Sequence, residues 1–128
     1  MLRTPRRRES LLLMASAKLV KSVEALSALA HEGRLSVFRL LVRAGKGGLA
    51  AGEIGRKLDV LPNTLSASLN VLANAGLVAS RRDGRSIIYT ADYERMSSLL
   101  GFLMEDCCNG DAAICAPLAA IAARAACC

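Results

Sequence analysis

The pair Asp83-Gly84 lies between two short β-prone segments, Leu77 to Ser80 and Ser86 to Thr90, in a chain whose other patterned stretches repeat with helical spacing. Asp-Gly between two such runs is a two-residue hairpin signal, because glycine adopts the turn's backbone angles without strain. The chain therefore reads as a helical domain that carries one hairpin.

Upstream of it, Leu19, Val23, Leu26 and Ala30 recur at helical spacing from Ala17 to Ala30, and Val20 and Leu29 broaden the stripe. A second helix is expected over about 34–44 through Leu35, Phe38, Leu41 and Val42, ended by Gly45, Gly47 and Gly48. A short third helix, about 50–58, leads through the turn Asp59-Val60-Leu61-Pro62-Asn63 into a fourth over 62–75. Pro62 suits the first position of that helix, where its missing N–H costs nothing. Beyond the hairpin, a fifth helix over about 91–106 places Tyr93, Met96, Leu100 and Leu103 on one stripe, and Asn109-Gly110 stops it. Pro117 opens a short Ala-rich tail helix.

Apolar residues make up 53% of the 128 positions and aromatics only 3%, so the core must come from Leu, Val, Ile and Ala on helices. Apolar faces left over from such a core call for a partner chain. Seventeen basic residues against eleven acidic ones give +6, which suits a polyanion, either nucleic acid or an anionic membrane surface. No apolar run approaches the roughly 20 residues that span a bilayer. Lys18 and Lys21 interrupt the apolar run that follows Arg6-Arg7-Arg8, which argues against a secretory signal. The basic stretch Arg3 to Arg8 reads instead as an arm near DNA phosphates.

Four helices, a hairpin and a further helix make a winged helix-turn-helix, mainly α with a β-hairpin wing. One helix, 50–58, would cross the DNA backbone while the next, 62–75, enters the major groove. Asn63, Thr64, Ser66, Ser68 and Asn70 are placed on the exposed side of that fourth helix, where amides and hydroxyls serve base edges or phosphates. A plainer alternative is that Asn63 or Thr64 caps the helix. Arg81, Arg82 and Arg85 flank the hairpin tip, within reach of phosphates or a narrow minor groove.

All five cysteines, Cys107, Cys108, Cys115, Cys127 and Cys128, fall in the last 22 positions. An odd count with two adjacent pairs makes a poor disulfide framework, whereas in a reducing cytoplasm these thiols would be free for a soft cation. On a helix the Cys107 and Cys108 side chains diverge by about 100°, but a frayed helix end lets them converge. A reversal at Asn109-Gly110 would return Cys115 to the same centre. Three thiolates suit As(III); a closed tetrahedral zinc site would need a fourth ligand. His31, alone at a helix end, reads as a cap or a packing residue rather than a ligand.

The stretches "LSALAHEGRLSVFRLL", "NTLSASLNVLANAGLV" and "RRDGRSIIY" resemble the ArsR-type family of metal- and metalloid-responsive repressors, over about residues 22–106. That resemblance implies a winged-helix homodimer whose first and last helices form the interface. Glu32-Gly33 stands where the family usually has Pro and a small polar residue, and Ala67, Ser68 and Asn70 stand where members often carry His and Lys. No cysteine pair accompanies the recognition helix, and the fifth helix holds Asp92 and Glu94 but no His for an interhelical zinc site. "EDCCNGDAAIC" looks like the subgroup that binds inorganic As(III) through a cysteine doublet and a later cysteine; Cys127 and Cys128 lie outside that pattern.

The expected organisation is a basic arm (1–17), a winged-helix DNA-binding and dimerisation domain (18–106) and a cysteine-containing sensor segment (107–128). The expected function is a cytoplasmic repressor that binds operator DNA as a homodimer, without membrane or organic cofactor. As(III), or Sb(III), bound by Cys107, Cys108 and Cys115 would release it. A thiol redox sensor built on the same module is the alternative. A thiol enzyme such as an arsenate reductase with a phosphate-type loop would need an arginine about six positions after its cysteine. Ala113, Ile114 and Ile121 occupy those places after Cys107, Cys108 and Cys115.

Overall fold

His31 makes the first corner of the chain. In the computed structural model, which describes residues 7–105, 116–117 and 120–121, helix α1 (Arg7–Leu29) ends just before it and α2 (Glu32–Ala44) begins just after. The His31 Nδ1 accepts hydrogen bonds from the backbone N–H of Gly33 at 3.1 Å and of Arg34 at 3.4 Å, capping α2. Arg34 answers from the first turn of α2. Its Nε donates to the Ala28 carbonyl at 2.6 Å and its Nη2 to that of Ser27 at 3.3 Å, so a cation closes the carbonyl end of α1. His31 thus acts as the cap that its position suggested.

After α2 comes a single 3₁₀ turn, Gly45–Gly47, followed by strand β1 (Leu49–Ala50), α3 (Ala51–Leu58), α4 (Pro62–Asn74), the hairpin strands β2 (Val78–Asp83) and β3 (Ser86–Ala91), and α5 (Tyr93–Met104). The antiparallel sheet has the order β1-β3-β2, with Leu49 opposite Tyr89 and Ala50 opposite Ile88. Strand β1 escapes the sequence reading because two residues are too short to show alternation. It depends on Gly48, whose φ of 71° and ψ of −170° belong to a region that only glycine enters readily. A Cβ there would overlap the Tyr89 carbonyl oxygen.

Asp83 pairs with Ser86, so the hairpin loop is Gly84-Arg85, one residue later than Asp83-Gly84. Gly84 has a φ of 62° while Arg85 does not have a positive φ, as in a turn that requires glycine at its first central position. Helix α5 is capped by Asp92, whose Oδ1 accepts from the Arg95 N–H at 3.0 Å. It ends at Met104, two residues before the expected Asp106. The Glu105 N–H closes the last turn onto the Phe102 carbonyl at 3.3 Å, and Glu105 itself is extended. At the other end of the chain α1 starts at Arg7, ten residues before the expected Ala17, so positions 7–17 of the segment read as an arm are helical.

The core lies between α2, α3, α4 and the base of the hairpin, where Val37, Leu41, Ile54, Leu69, Leu72 and Leu77 are almost fully enclosed. Phe38 is its one buried aromatic. The buried residues of α1 among those described are small, Ser22, Ala25 and Ala28, which let its backbone approach its neighbours closely, and Leu29 at its end packs partly buried against the core. Its large apolar side chains Leu19, Val20, Val23 and Leu26 are 42–54% exposed. Most of the stripe that marks α1 as amphipathic therefore faces outward, on a surface that the described residues leave uncovered.

Gly48→Ala tests the β1 corner. It should lower stability by about 2 kcal/mol or more, read as a lower urea midpoint at an unchanged slope, since the new Cβ meets backbone rather than a flexible side chain.

Candidate nucleic-acid interface

Helices α3 and α4 meet through a turn that the local sequence dictates. Asp59 takes a left-handed conformation, with a φ of 53°, and the Val60 N–H reaches back to the Gly55 carbonyl at 3.0 Å. Gly55 permits that approach, since a Cβ would lie 3.2 Å from the Val60 carbonyl oxygen. Pro62 then opens α4 as expected.

On α4, Leu65, Leu69 and Leu72 point inward. Asn63, Thr64, Ser66 and Asn70 are exposed, as a face meant for base edges requires. Ser68 is not: it is only 8% exposed. Three residues after Leu65 and four before Leu72, it shares their inner face, so its expected place on the reading surface is corrected. The cap position is Leu61, with no side-chain hydrogen bond to the helix start, so neither Asn63 nor Thr64 is spent as a cap.

Helix α4 carries no charged residue, so attraction to phosphates must come from its flanks. Arg82 and Arg85 are exposed on the hairpin. Arg81 is exposed as well, but strand alternation sends it to the opposite side from Arg82. There its Nη2 donates to the Gly47 carbonyl at 2.9 Å and its Nη1 to that of Lys46 at 3.4 Å. It ties the hairpin to the 3₁₀ turn before β1. Sequence reasoning missed Arg56 and Lys57, an exposed basic pair in the last turn of α3. A basic doublet at the end of the crossing helix was the available signal.

Cys107, Cys108 and Cys115, with Cys127 and Cys128, lie outside the described residues. Among the described residues no cluster of His, Cys, Asp and Glu is arranged to hold a metal ion, and no helix is long and apolar enough to cross a membrane. The last described residue of the α5 region, Glu105, precedes Cys107 by two positions.

On α5, Leu100 and Leu103 are about half exposed as well. Beside them an open groove of about 370 Å³ is lined by Leu29, Leu35, Phe38, Val42, Met96 and Leu100. Contiguous apolar surface of this kind marks an interaction site rather than a solvated face.

A helix-turn-helix domain model matches residues 29–81. An HTH-type transcriptional regulator of Mycobacterium tuberculosis is 36% identical over 90 residues, which are 68% of this chain and 75% of that protein. An ArsR-like transcriptional regulator from Rhodococcus has a solved structure that superposes with a TM-score of 0.65 at 26% identity, covering 82% of this chain and 92% of that one. The chain belongs to the ArsR family of winged-helix transcriptional regulators. A solved structure from Mycobacterium bovis, described as the homodimeric winged helix-turn-helix DNA-binding domain of a possible ArsR-family transcriptional regulator, matches with a TM-score of 0.54 at 26% identity over 82% of this chain and 92% of that one. A putative arsenical resistance operon repressor of Halobacterium salinarum is 44% identical over 63 residues, 49% of this chain and 48% of that protein. The chain spans less than two thirds of the length of several curated relatives, at 58% and 62% for two of them.

The different settings of Arg81 and Arg82 separate an ArsR-family wing's architecture from its charge. Arg81→Met should cost about 1 kcal/mol of stability through its lost carbonyl contacts, whereas Arg82→Ala should stay within about 0.5 kcal/mol. Chemical denaturation of both variants checks this.

Proposed function

We propose that this chain is a transcriptional repressor that binds operator DNA as a homodimer and is released when As(III) binds Cys107, Cys108 and Cys115. The observation that carries the DNA half is the outer face of α4: Asn63, Thr64, Ser66 and Asn70 exposed together, with Arg82, Arg85, Arg56 and Lys57 at its flanks. Uncharged amides and hydroxyls read base edges, while the flanking cations supply the salt-dependent attraction to phosphates. Pairing through α1 and α5 is supported by their exposed leucines and valines and by the homodimeric relative from M. bovis. Two chains present two recognition helices, whose separation must match the spacing of the operator half-sites.

The arsenic half is supported by the cysteine set and by the name of the Halobacterium relative. Arsenous acid would react with three thiols to give three S–As bonds, the thiol protons leaving with the hydroxyls as three waters. No change of oxidation state is needed. Sb(III) fits the same donors. Because the doublet follows α5 directly, gathering three sulfurs constrains the chain at the end of a helix whose apolar side is uncovered. The ligand weakens DNA binding only by favouring a dimer arrangement whose recognition helices no longer match the operator.

Fluorescence anisotropy of labelled operator under reducing conditions tests the reading. Arsenite should release the wild-type protein but leave a protein carrying Cys107→Ser and Cys108→Ser on the DNA; release of that variant would refute the assignment of the sulfurs. Arg85→Ala should weaken binding to all sequences alike and lower the slope of log affinity against log salt by about 1. An unchanged slope would remove Arg85 from the phosphate contacts.

A further inference from the structure

Arg95 joins three helices with one side chain. It sits in the first turn of α5, and its guanidinium leaves that helix in two directions. Nε donates to the carbonyl of Ala75 at 3.4 Å, and Nη2 donates to the carbonyl of Lys21 at 2.9 Å. Ala75 is the C-cap of α4, and Lys21 belongs to α1.

The end of α4 is itself tightly closed. The Leu77 N–H bonds to the Leu72 carbonyl and the Gly76 N–H to that of Ala73, both at 3.0 Å, with Gly76 at a φ of 77°. A Cβ on Gly76 would lie 3.6 Å from Arg95 Nε, so the arginine stem runs against that bare backbone. The Leu77 carbonyl accepts from the Asp92 N–H at 2.8 Å, and the Asp92 carboxylate holds the Arg95 N–H. Asp92, Arg95, Ala75 and Leu77 therefore form a closed ring that locks the end of the recognition helix to the start of α5. The second arm of the guanidinium extends the lock to α1.

Helices α1 and α5 also carry exposed large apolar side chains, Leu19, Val20, Val23 and Leu26 on the first and Leu100 and Leu103 on the second. A planar fork meets two carbonyls only while those helices keep one arrangement, and a small slide costs at least one of its hydrogen bonds. We infer that Arg95 is the positioning residue that passes the arrangement of α1 and α5 on to the recognition helix. The inference rests on the dimeric repressor reading given above. Arg95 need touch neither DNA nor inducer.

The test compares Arg95→Met, which keeps the stem without donors, and Arg95→Lys, which restores one donor, with Arg34→Met. The last removes a guanidinium–carbonyl tie that does not reach α4. Amide exchange at Gly76 and Leu77 is followed in each protein with and without Leu19→Asp, a charge placed on the exposed side of α1 away from the groove that Val23 and Arg34 share with the end of α4. In the wild-type background Leu19→Asp should speed exchange at these amides about tenfold, and in Arg95→Met by no more than about twofold. Arg95→Lys should fall between, and Arg34→Met should respond like the wild type even if it is less stable. An equal response in Arg95→Met and wild type, or no response in either, would overturn the inference. The arsenite arm is separate: Arg95→Met should bind As(III) with wild-type stoichiometry yet stay on the operator. A wild-type protein indifferent to arsenite would refute the arsenic reading alone, and the exchange result would still decide the role of Arg95.

Discussion

Between Leu19 and Ala28, helix α1 turns small residues inward and large apolar ones outward, and the rest of the architecture follows from that. Ser22, Ala25 and Ala28 let α1 lie close against its own chain, while Leu19, Val23 and Leu26 stay in water until something covers them. Burying apolar surface yields roughly 25 cal/mol per Å², so several half-exposed leucines and valines on adjoining helices are a standing drive to associate. With aromatics at 3% of the chain, Phe38 is the one buried ring within the monomer. Pairing of chains then belongs to the proposed DNA binding, because one recognition helix reads only half of a two-fold operator.

Charge is divided between structure and function in a way the net value of +6 conceals. Arg34, Arg81 and Arg95 each direct guanidinium donors at backbone carbonyls, closing the end of α1, the 3₁₀ turn before β1 and the end of α4 respectively. A forked, permanently charged donor suits such places, where orphan carbonyls gather. Arg56, Lys57, Arg82 and Arg85, by contrast, are exposed on the elements either side of α4, which is itself uncharged. That separation suits a reader in which phosphate attraction and base recognition come from different elements.

Much of this was legible in the sequence, and the failures have physical causes. The order of helices and hairpin followed from periodicity and turn chemistry, and His31 was recognisable as a cap because it stands alone at a helix end. Which side of α1 meets the core was not legible, since a helix that is apolar on one side and small on another gives periodicity no means to tell inside from outside. Ser68 was misplaced for a related reason: a serine reads as polar, yet its spacing from Leu65 and Leu72 fixes it on the inner face. Two-residue β1 was invisible because its pairing depends on Gly48 meeting β3, a contact between distant parts of the chain. The exposed face of α4 was otherwise read correctly. The cysteine site remains a matter of donor chemistry, since it lies outside the described residues.

Sedimentation equilibrium of the reduced protein, alone and with operator DNA, tests the central claim most directly. The uncovered faces of α1 and α5 predict a two-chain species in solution and two chains on each operator. A single-chain species at every concentration, binding its operator with undiminished affinity, would contradict the account.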